Sequence, residues 1–235
     1  MVAALDRPVV ILSAAISLDG HLDDDSPQRL VLSGPEDLDA VDALRASCDA
    51  VVVGAGTVRA DDPRLVVRSA ARRAERVAGG RPPTPLRVVL TRSGELPPGS
   101  ALFRDGVVDA AALAPPLVLV PAPRVAAVRA ALSGVAEVVA AGPAGDPGDV
   151  VAELARRGAR RVLVEGGTSV NTAFLAAGAV DELRIAVAPF LVGRPGAPRL
   201  VGSGPFPLGP GSRARLREVR PVGDMAVLTY DLERA

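Results

Sequence analysis

The stretch VLVEGGTSVNTAFLAAG, residues 162–178, joins an apolar run to a helical pattern through a glutamate and two glycines. The β-branched run is typical of a strand that is buried on both faces of a parallel sheet. We expect this strand to end at Val164, so that Glu165 emerges at the carboxyl edge of the sheet, where open α/β folds bind their ligands. Gly166 and Gly167 let a ligand approach the backbone closely, and the free N–H groups of the helix start suit a phosphate.

Two interpretations of this stretch remain open from the residues alone. In the first, the glycines fit an anion, Glu165 fits a polyol or an amine, and Thr168 or Ser169 caps the helix. In the second, the stretch is a plain strand-to-helix turn in which glycine allows tightness and Glu165 faces solvent. The spacing is not the GxGxxG pattern of dinucleotide-binding folds.

Strand and helix patterns alternate along most of the chain. Apolar runs that predict buried strands span 9–16, 50–54, 86–90, 117–121, 135–140 and 161–164. Helical patterns span 35–48, 123–134, 146–158 and 168–178. This alternation predicts an α/β fold in which a mainly parallel sheet lies between two layers of helices.

The chain changes character after residue 180. Alternating patterns predict three further strands, of which the last two are joined at Val222-Gly223-Asp224; they span 181–193, 212–223 and 224–234. We therefore expect a three-layer α/β/α domain whose mixed, mainly parallel central sheet finishes with a C-terminal antiparallel hairpin. Residues 1–235 are expected to form this single domain. Two stretches rich in Arg, Pro, Ala and Gly are expected to be surface excursions, 69–85 and 104–116.

The composition excludes several classes of protein. The 27 acidic and 27 basic residues balance and aromatic residues make up only 2%, so we expect neither nucleic acid nor a membrane as a partner. Every basic residue is Arg, which excludes Schiff-base lysines and Walker-type P-loops. One His and one Cys are too few for a conventional zinc cluster or a disulfide framework, and we expect no metal. The apolar start lacks a basic n-region, so we expect no signal peptide and a cytoplasmic location.

Two further motifs carry candidate ligand contacts. In VVVGAGTVRADDPRLVVR, residues 51–68, a buried strand runs into Gly54-Ala55-Gly56-Thr57, which again permits close approach to the backbone. Of the Asp pair that follows, Asp62 is explained by turn chemistry, whereas Asp61 is the less dispensable of the two. In SLDGHL, residues 17–22, Asp-Gly marks a turn, and His21 is either an acid or base or a peripheral turn residue.

Taken together, SLDG, LRASCDAVVVGAGTVRADDPRLVVR and LVEGGTSVNTAFLAAGAVDELRIAVAPFLVG resemble one family closely, and the resemblance covers nearly the whole chain. This is the riboflavin-biosynthesis pyrimidine reductase family, which comprises the C-terminal reductase domain of the bacterial bifunctional deaminase-reductase and its stand-alone archaeal and fungal relatives. The resemblance implies a dihydrofolate-reductase-like fold, a homodimer, and the NADPH-dependent reduction of a phosphoribosylamino-pyrimidine to its ribitylamino counterpart. Hydride is then expected to reach C1 of the sugar in its ring-opened imine form.

The same resemblance implies roles for individual residues. It places these residues against NADPH: Ala15, Thr57, Asp61, Gly166, Gly167, Thr168, Ser169, Val170 and Asn171. It places these against the substrate: Arg45, Leu65, Arg68 and Glu165. Arg45 and Arg68 suit a sugar phosphate because guanidinium binds phosphate through two parallel hydrogen bonds. Glu165 suits the ribose hydroxyls or the developing iminium, and Glu165 and Asp61 are the candidate catalytic residues.

Four features depart from the pattern of this family. His21 stands where the family usually has Lys or Arg, so a cationic substrate contact becomes pH-dependent. The segment DSPQRLVLSGPEDL, residues 25–38, is more similar to the stand-alone branch than to the bacterial one. Thr91-Arg92-Ser93 replaces the usual Asp-Ser after a strand, and Arg92 suits the 2′-phosphate of NADPH. The HxE…PCxxC signature of the deaminase does not occur in the sequence.

Two other functions remain open. The first is an enzyme of the same fold that reduces a dihydropterin or a pyrimidine of secondary metabolism. This alternative is suggested by His21 and by the segment 23–35, which departs from the bacterial pattern. The second is a non-catalytic nucleotide-binding protein that kept the cofactor cradle and lost turnover. The presence of Thr57, Asp61 and Glu165 with the glycines favours an enzyme over this last alternative.

Overall fold

The structure, a computed structural model, describes residues 7–24, 26, 28, 30–104, 113–142 and 145–233. This part of the chain contains nine strands: β1 Val9–Ser17, β2 Ala50–Gly54, β3 Leu86–Leu90, β4 Leu117–Val120, β5 Glu137–Ala140, β6 Arg161–Gly166, β7 Glu182–Ala188, β8 Arg215–Val222 and β9 Met225–Asp231. It also contains six α-helices: α1 Pro35–Ser47, α2 Ala55–Asp61, α3 Ala70–Ala78, α4 Val125–Ala131, α5 Pro147–Arg156 and α6 Thr168–Ala176.

The strands form one sheet in the order β5-β4-β3-β2-β6-β1-β7-β9-β8. Parallel pairs join β1 to β7 and link β2, β3, β4 and β5 in succession. β9 runs antiparallel to both β7 and β8, and the β8–β9 hairpin lies at one edge of the sheet. The predicted α/β class, with a mainly parallel sheet and a C-terminal antiparallel hairpin, is confirmed.

The chain divides into two compact units, one formed mainly by Asp42–Leu163 and the other by Val9–Val41 with the chain from Val164 onward. The division falls inside β6, so this strand contributes residues to both units. The expectation of one domain over 1–235 stays a prediction. None of the described helices has the length and apolarity that a membrane crossing requires.

The first unit has a core of apolar strands. β2 and β4 are buried along their whole length, as their apolar runs predict. β3 brings one charged residue into this interior, Arg87, whose guanidinium donates to the carbonyls of Leu102 and Ala114 at 2.8 Å each. These hydrogen bonds offset the cost of burying the polar group.

The predicted surface excursion 69–85 contains a helix, α3, that the sequence did not predict and that is largely exposed. Ser69 caps the helix, and Arg76 in its last turn is only 2% exposed. The guanidinium of Arg76 donates to three carbonyls at 2.7–2.8 Å, those of Ala46, Cys48 and Pro82. Arg76 is the one buried residue of this helix, because five N–H donors in a planar fork can be buried where carbonyls surround them.

Several element bounds also differ from the predicted ones. β6 continues two residues beyond Val164, and the GAGT sequence after β2 begins a helix, α2, where none was predicted. A single 3₁₀ turn, Ala122–Arg124, precedes α4. The second predicted excursion, 104–116, falls largely on 105–112, outside the described residues.

The second unit contains the predicted hairpin turn. Val222 and Met225 pair across it, so that Gly223 and Asp224 form a two-residue loop. Gly223 has φ +60°, a left-handed conformation that glycine adopts without steric cost. The predicted Gly-containing turn is confirmed and is one residue shorter than expected.

A buried ion pair fixes the start of α1 in the second unit. Asp37, in the first turn of α1, is fully buried and accepts a hydrogen bond from the guanidinium of Arg184 on β7. Arg184 also donates to the hydroxyl of Ser13 at 3.3 Å, the residue opposite it on β1. A carboxylate in the first turn is favoured by the helix dipole as well.

Replacing Asp37 by Ala should lower the free energy of unfolding by about 3–5 kcal/mol, because it leaves the charge of Arg184 buried without its partner. Urea unfolding measures this loss. The double variant Asp37→Leu/Arg184→Met should recover most of it, since an apolar pair needs no desolvation of charge. Arg215→Ala, which breaks an exposed pair with Asp231, is the matched control and should change stability far less. An Asp37→Ala protein as stable as the wild type would contradict the role of this pair.

Candidate functional site

The junction of β6 and α6, in the second unit, is built on two glycines with left-handed backbones. Gly166 has φ +75° and Gly167 has φ +89°. A Cβ atom at Gly166 would lie 2.1 Å from Oδ1 of Asn171, so no larger residue fits there. The half-buried Glu165 belongs to β6, because the strand continues through Gly166, and is not the first residue beyond it as predicted.

The start of α6 is open to an anion. Gly167 is the N-cap and no side chain caps the helix, so the expectation that Thr168 or Ser169 caps it is wrong. The first helical hydrogen bond runs from Asn171 N to Gly167 O at 3.0 Å, which leaves the three preceding N–H groups without a partner inside the helix. The first turn carries no acidic side chain. These donors and the helix dipole fit a phosphate or pyrophosphate.

One face of α6 holds the segment 199–202. Three side chains spaced three and four residues apart bond to its backbone at 2.6, 3.0 and 2.8 Å: Thr168 to Arg199 O, Asn171 to Leu200 O, and Thr172 to Gly202 N. Asn171 is 1% exposed, and its Oδ1 has no hydrogen-bond partner among the described residues. The structure thus places Asn171 beside the glycine turn, and its contact with a cofactor stays a prediction.

Asp19 organises the turn after β1. Its carboxylate accepts hydrogen bonds from the hydroxyl of Ser17 at 2.5 Å and from the backbone N–H groups of Val192 and Gly193 at 3.0 and 2.7 Å. The hydrogen bond from Ser17, followed by the two backbone bonds, holds the pKa of Asp19 well below its ordinary value. The ionised carboxylate therefore ties this turn to the segment after β7 at neutral pH.

His21 is only 2% exposed, so its interpretation as a peripheral turn residue is wrong. Its backbone forms an antiparallel bridge with Arg199, and its Nδ1 lies 3.2 Å from Oδ2 of Asp19, without hydrogen-bond alignment. Nε2 has no hydrogen-bond partner in the described part of the chain. The role of His21 toward a substrate stays a prediction. Ala15, on β1, is half-buried and packs against the core of this unit.

In the first unit, α2 follows β2 directly and carries two candidate cofactor residues. Gly54 is its N-cap, and a Cβ atom on the exposed Gly56 would meet nothing within 4 Å. Thr57 in the first turn and Asp61 at the last helical residue are both half-buried. The helix therefore presents Thr57 on its first turn.

Asp62 has the structural role that the sequence predicts. It ends α2 in the left-handed region with φ 43°, and its carboxylate accepts from Ala101 N at 2.6 Å and from Arg104 at 3.2 Å. Within the described ranges, no group of three or more His, Cys, Asp or Glu side chains could hold a metal ion.

The loop after β3 presents Arg92 at the same sheet edge as α2, because β2 and β3 are parallel and end in register. The hydroxyl of Thr91 accepts from Gly94 N at 2.9 Å, and Arg59 of α2 donates to Glu95 O at 2.8 Å. Arg92 is therefore an exposed residue on a loop that is fixed on both sides.

The three candidate substrate residues of the first unit lie close together. Arg45, in the last turn of α1, donates to Val66 O at 3.5 Å. Leu65 is 2% exposed and has φ +56°, a left-handed conformation that is strained in a residue with a bulky side chain. Arg68 has a half-exposed side chain, with its Nε 3.8 Å from Oδ1 of Asp42.

Asp42, which was not recognised in the sequence, organises this segment. It is 2% exposed and accepts from the backbone N–H groups of Arg68 and Ser69 and from the guanidinium of Arg72 at 3.0 Å. Burial acts to raise the pKa of Asp42, but these hydrogen bonds outweigh it, and the pKa lies below its ordinary value. Its position three residues before Arg45 places the two on one helix face, but this spacing alone does not indicate the distant N–H groups that Asp42 accepts from.

Asp42→Asn should lower the free energy of unfolding by about 1–3 kcal/mol at neutral pH, because an amide accepts fewer and weaker hydrogen bonds. The pKa of Asp42 is lower in the folded protein than in the unfolded one, so its stabilisation is complete above the unfolded pKa and is lost as pH falls through the folded pKa. Urea unfolding from neutral pH to about pH 3 should therefore show the two proteins converging in acid. Glu75→Gln, on the exposed face of α3, is the control, and a difference that does not depend on pH would contradict the assignment.

Known proteins resemble this chain along most of its length. The family model described as the RibD C-terminal domain matches residues 8–228. The 2,5-diamino-6-ribosylamino-4(3H)-pyrimidinone 5′-phosphate reductase of Archaeoglobus fulgidus is 35% identical over 97% of this chain and 100% of its own length. The protein of the same name from Methanothermobacter thermautotrophicus is also 35% identical, over 97% and 99%. The crystal structure of a pyrimidine reductase-like protein from Corynebacterium diphtheriae is 25% identical with a TM-score of 0.78, covering 97% of this chain and 93% of that one.

Proposed function

We propose that this chain, which belongs to the RibD C-terminal domain family, reduces 2,5-diamino-6-ribosylamino-4(3H)-pyrimidinone 5′-phosphate in riboflavin biosynthesis. The observation that carries the proposal is the alignment with two reductases of that name over nearly their entire length and that of this chain, at 35% identity. It favours the pyrimidine that still carries both amino groups over the deaminated one, a choice that the sequence alone left open.

We propose NADPH as the reductant, which when bound supplies the hydride for C1 of the ring-opened ribosylamine. The N–H groups at the start of α6 would bind its pyrophosphate, at a turn that the left-handed backbones of Gly166 and Gly167 form. Arg92, on its fixed loop, would bind the 2′-phosphate. The remaining proposed contacts are those that the resemblance implies: Ala15, Thr57, Asp61, Thr168, Ser169, Val170 and Asn171.

The chain's own residues would act mainly by positioning the substrate. Arg45 and Arg68 would bind the sugar phosphate, beside the strained backbone of Leu65. Glu165, near the end of β6, would hold the ribose hydroxyls and stabilise the positive charge of the iminium. Asp61 is the second candidate catalytic residue, and His21 remains a candidate substrate contact.

Two expectations about the protein in the cell accompany this function. We expect a homodimer, and the edge strand β8 offers exposed apolar side chains for it, Leu216 and Val219 at 51% and 58% exposure. We also expect a cytoplasmic enzyme.

Purified protein with NADPH should oxidise the cofactor when it is offered the diamino-pyrimidine ribosylamine phosphate, and do so more slowly with the deaminated analogue. Absorbance at the reduced-nicotinamide band follows the reaction. Gly166→Ala should abolish activity, because its Cβ would overlap Asn171 in a left-handed backbone, whereas Gly148→Ala in α5 meets nothing and should be active. Turnover of the deaminated compound alone would place the enzyme after deamination, and no turnover of either would overturn the proposal.

Arg92→Ala should raise the KM for NADPH by about tenfold and leave the KM for NADH nearly unchanged, because only NADPH carries the 2′-phosphate that a guanidinium binds. Arg220→Ala, at an exposed position on β8, removes the same charge elsewhere and is the control. Equal losses with both cofactors would contradict the assignment of Arg92.

A further inference from the structure

Side chains form hydrogen bonds with successive backbone N–H and carbonyl groups between Val66 and Ser69. Val66 O accepts from Arg45, and Val67 N donates to the hydroxyl of Thr84 at 3.1 Å. Further bonds come from one guanidinium and one carboxylate: Arg73 donates to Val67 O and Arg68 O at 3.0 and 2.6 Å, and Asp42 accepts from Arg68 N and Ser69 N. A segment held in this way has little conformational freedom left to lose when a ligand binds.

Leu65, directly before this segment, has a backbone conformation that the surrounding structure imposes. Leu65 is buried at 2% exposure and has φ +56°. A left-handed backbone is sterically unfavourable for a leucine, so surrounding contacts must enforce it. The side-chain bonds to residues 66–69 are the contacts that follow it directly.

The hydrogen bonds to Asp42 determine which donors of this segment remain available to bind an anion. The backbone N–H groups of Arg68 and Ser69 point to its carboxylate and are therefore committed inside the protein. The side chain of Arg68 is 52% exposed, while that of Asp42 is 2% exposed. The carboxylate thus lies beneath the segment, and the half-exposed guanidinium of Arg68, whose Nε lies 3.8 Å from Oδ1 of Asp42, starts from a backbone that Asp42 fixes.

Arg72 connects the same carboxylate to helix α3. Its guanidinium lies 3.0 Å from Oδ2 of Asp42, and its side chain is 23% exposed. The ion pair reduces the repulsion that Asp42 would exert on a nearby phosphate, because part of its charge is balanced locally. Arg68 and Arg72 therefore lie beside the buried carboxylate, while Arg45 and Arg73 donate to backbone carbonyls of the same short segment.

We infer that Asp42 is a positioning residue of the substrate's phosphate site: it fixes the backbone of Arg68 and Ser69 from below and so aims the guanidinium of Arg68, together with Arg45, at the sugar phosphate. The inference rests on the proposed function for the identity of the phosphorylated ligand. Asp42 itself does not touch the substrate. Its removal should weaken recognition of the phosphate and leave the rest of the ligand and the cofactor unaffected.

Calorimetric titration of the full chain with D-ribose 5-phosphate and with D-ribose tests this without turnover. The wild type should prefer ribose 5-phosphate, and Asp42→Asn should raise its Kd by about tenfold or more, because displacing a bidentate guanidinium weakens charge-assisted hydrogen bonds. Affinity for ribose and for NADPH should stay as in the wild type. Glu75→Gln removes one negative charge from the neighbouring helix α3 and should leave the Kd unchanged.

A second variant keeps the test decisive if Asp42→Asn does not fold. Arg72→Gln leaves both backbone bonds of Asp42 in place and removes only its ion pair with Arg72, so it should fold and raise the Kd for ribose 5-phosphate by a smaller factor, about threefold. In steady-state kinetics both variants should raise the KM for the phosphorylated pyrimidine more than they lower kcat.

The outcomes separate this inference from the proposed function. A folded Asp42→Asn protein with wild-type affinity for ribose 5-phosphate would overturn the inference, as would a wild type that binds ribose and ribose 5-phosphate equally well. Phosphate binding that depends on Asp42 in a protein that turns over no pyrimidine would support the inference and overturn the reaction instead.

Discussion

Backbone groups that leave the regular ladders of the sheet need partners, and in this protein side chains supply them. Carbonyls are bound by arginine forks: Arg76 takes three, Arg87 two, and Arg73 two. N–H groups are bound by carboxylates: Asp42 takes two and Asp19 two. Since the chain has no lysine, guanidinium groups are the cations that donate to carbonyls inside the protein as well as on its surface. The loops that carry the candidate site are therefore held by hydrogen bonds to charged side chains as well as by packing.

The sequence predicted the elements whose signal is local. The runs 50–54 and 86–90 are strands with the expected bounds, because a short β-branched run that is buried on both faces leaves little choice of conformation. Helix α3 was not predicted within the surface segment 69–85, because its one buried side chain is Arg76, which is bound by carbonyls of distant segments and not by an apolar core. The end of β6 was misplaced because Gly166 resembles a turn residue in the sequence, although it still belongs to the strand.

The same limit applies to the candidate site. The glycines at 166 and 167 could be recognised, since a left-handed backbone at the mouth of a strand requires them. Asp42 and Asp19 could not be recognised as organising residues, because the N–H groups that they accept from are up to 27 and 174 positions away. His21 was judged by its neighbours in a polar turn, yet it is buried and its backbone pairs with Arg199, far along the chain. Residue type and spacing thus indicate candidate positions for a ligand, whereas the groups that hold the loops in place become visible only in three dimensions.

The buried surroundings of Cys48 have a further consequence. The thiol is fully buried, its burial raises its pKa, and its own carbonyl is bound by Arg76. Because alkylating reagents attack the thiolate, they reach this sulfur only when the structure around it opens. The chain has no other cysteine. The rate of alkylation therefore measures local opening at one defined position, the connection between α1 and β2. The protein thus carries an intrinsic reporter of local unfolding that needs no engineered label.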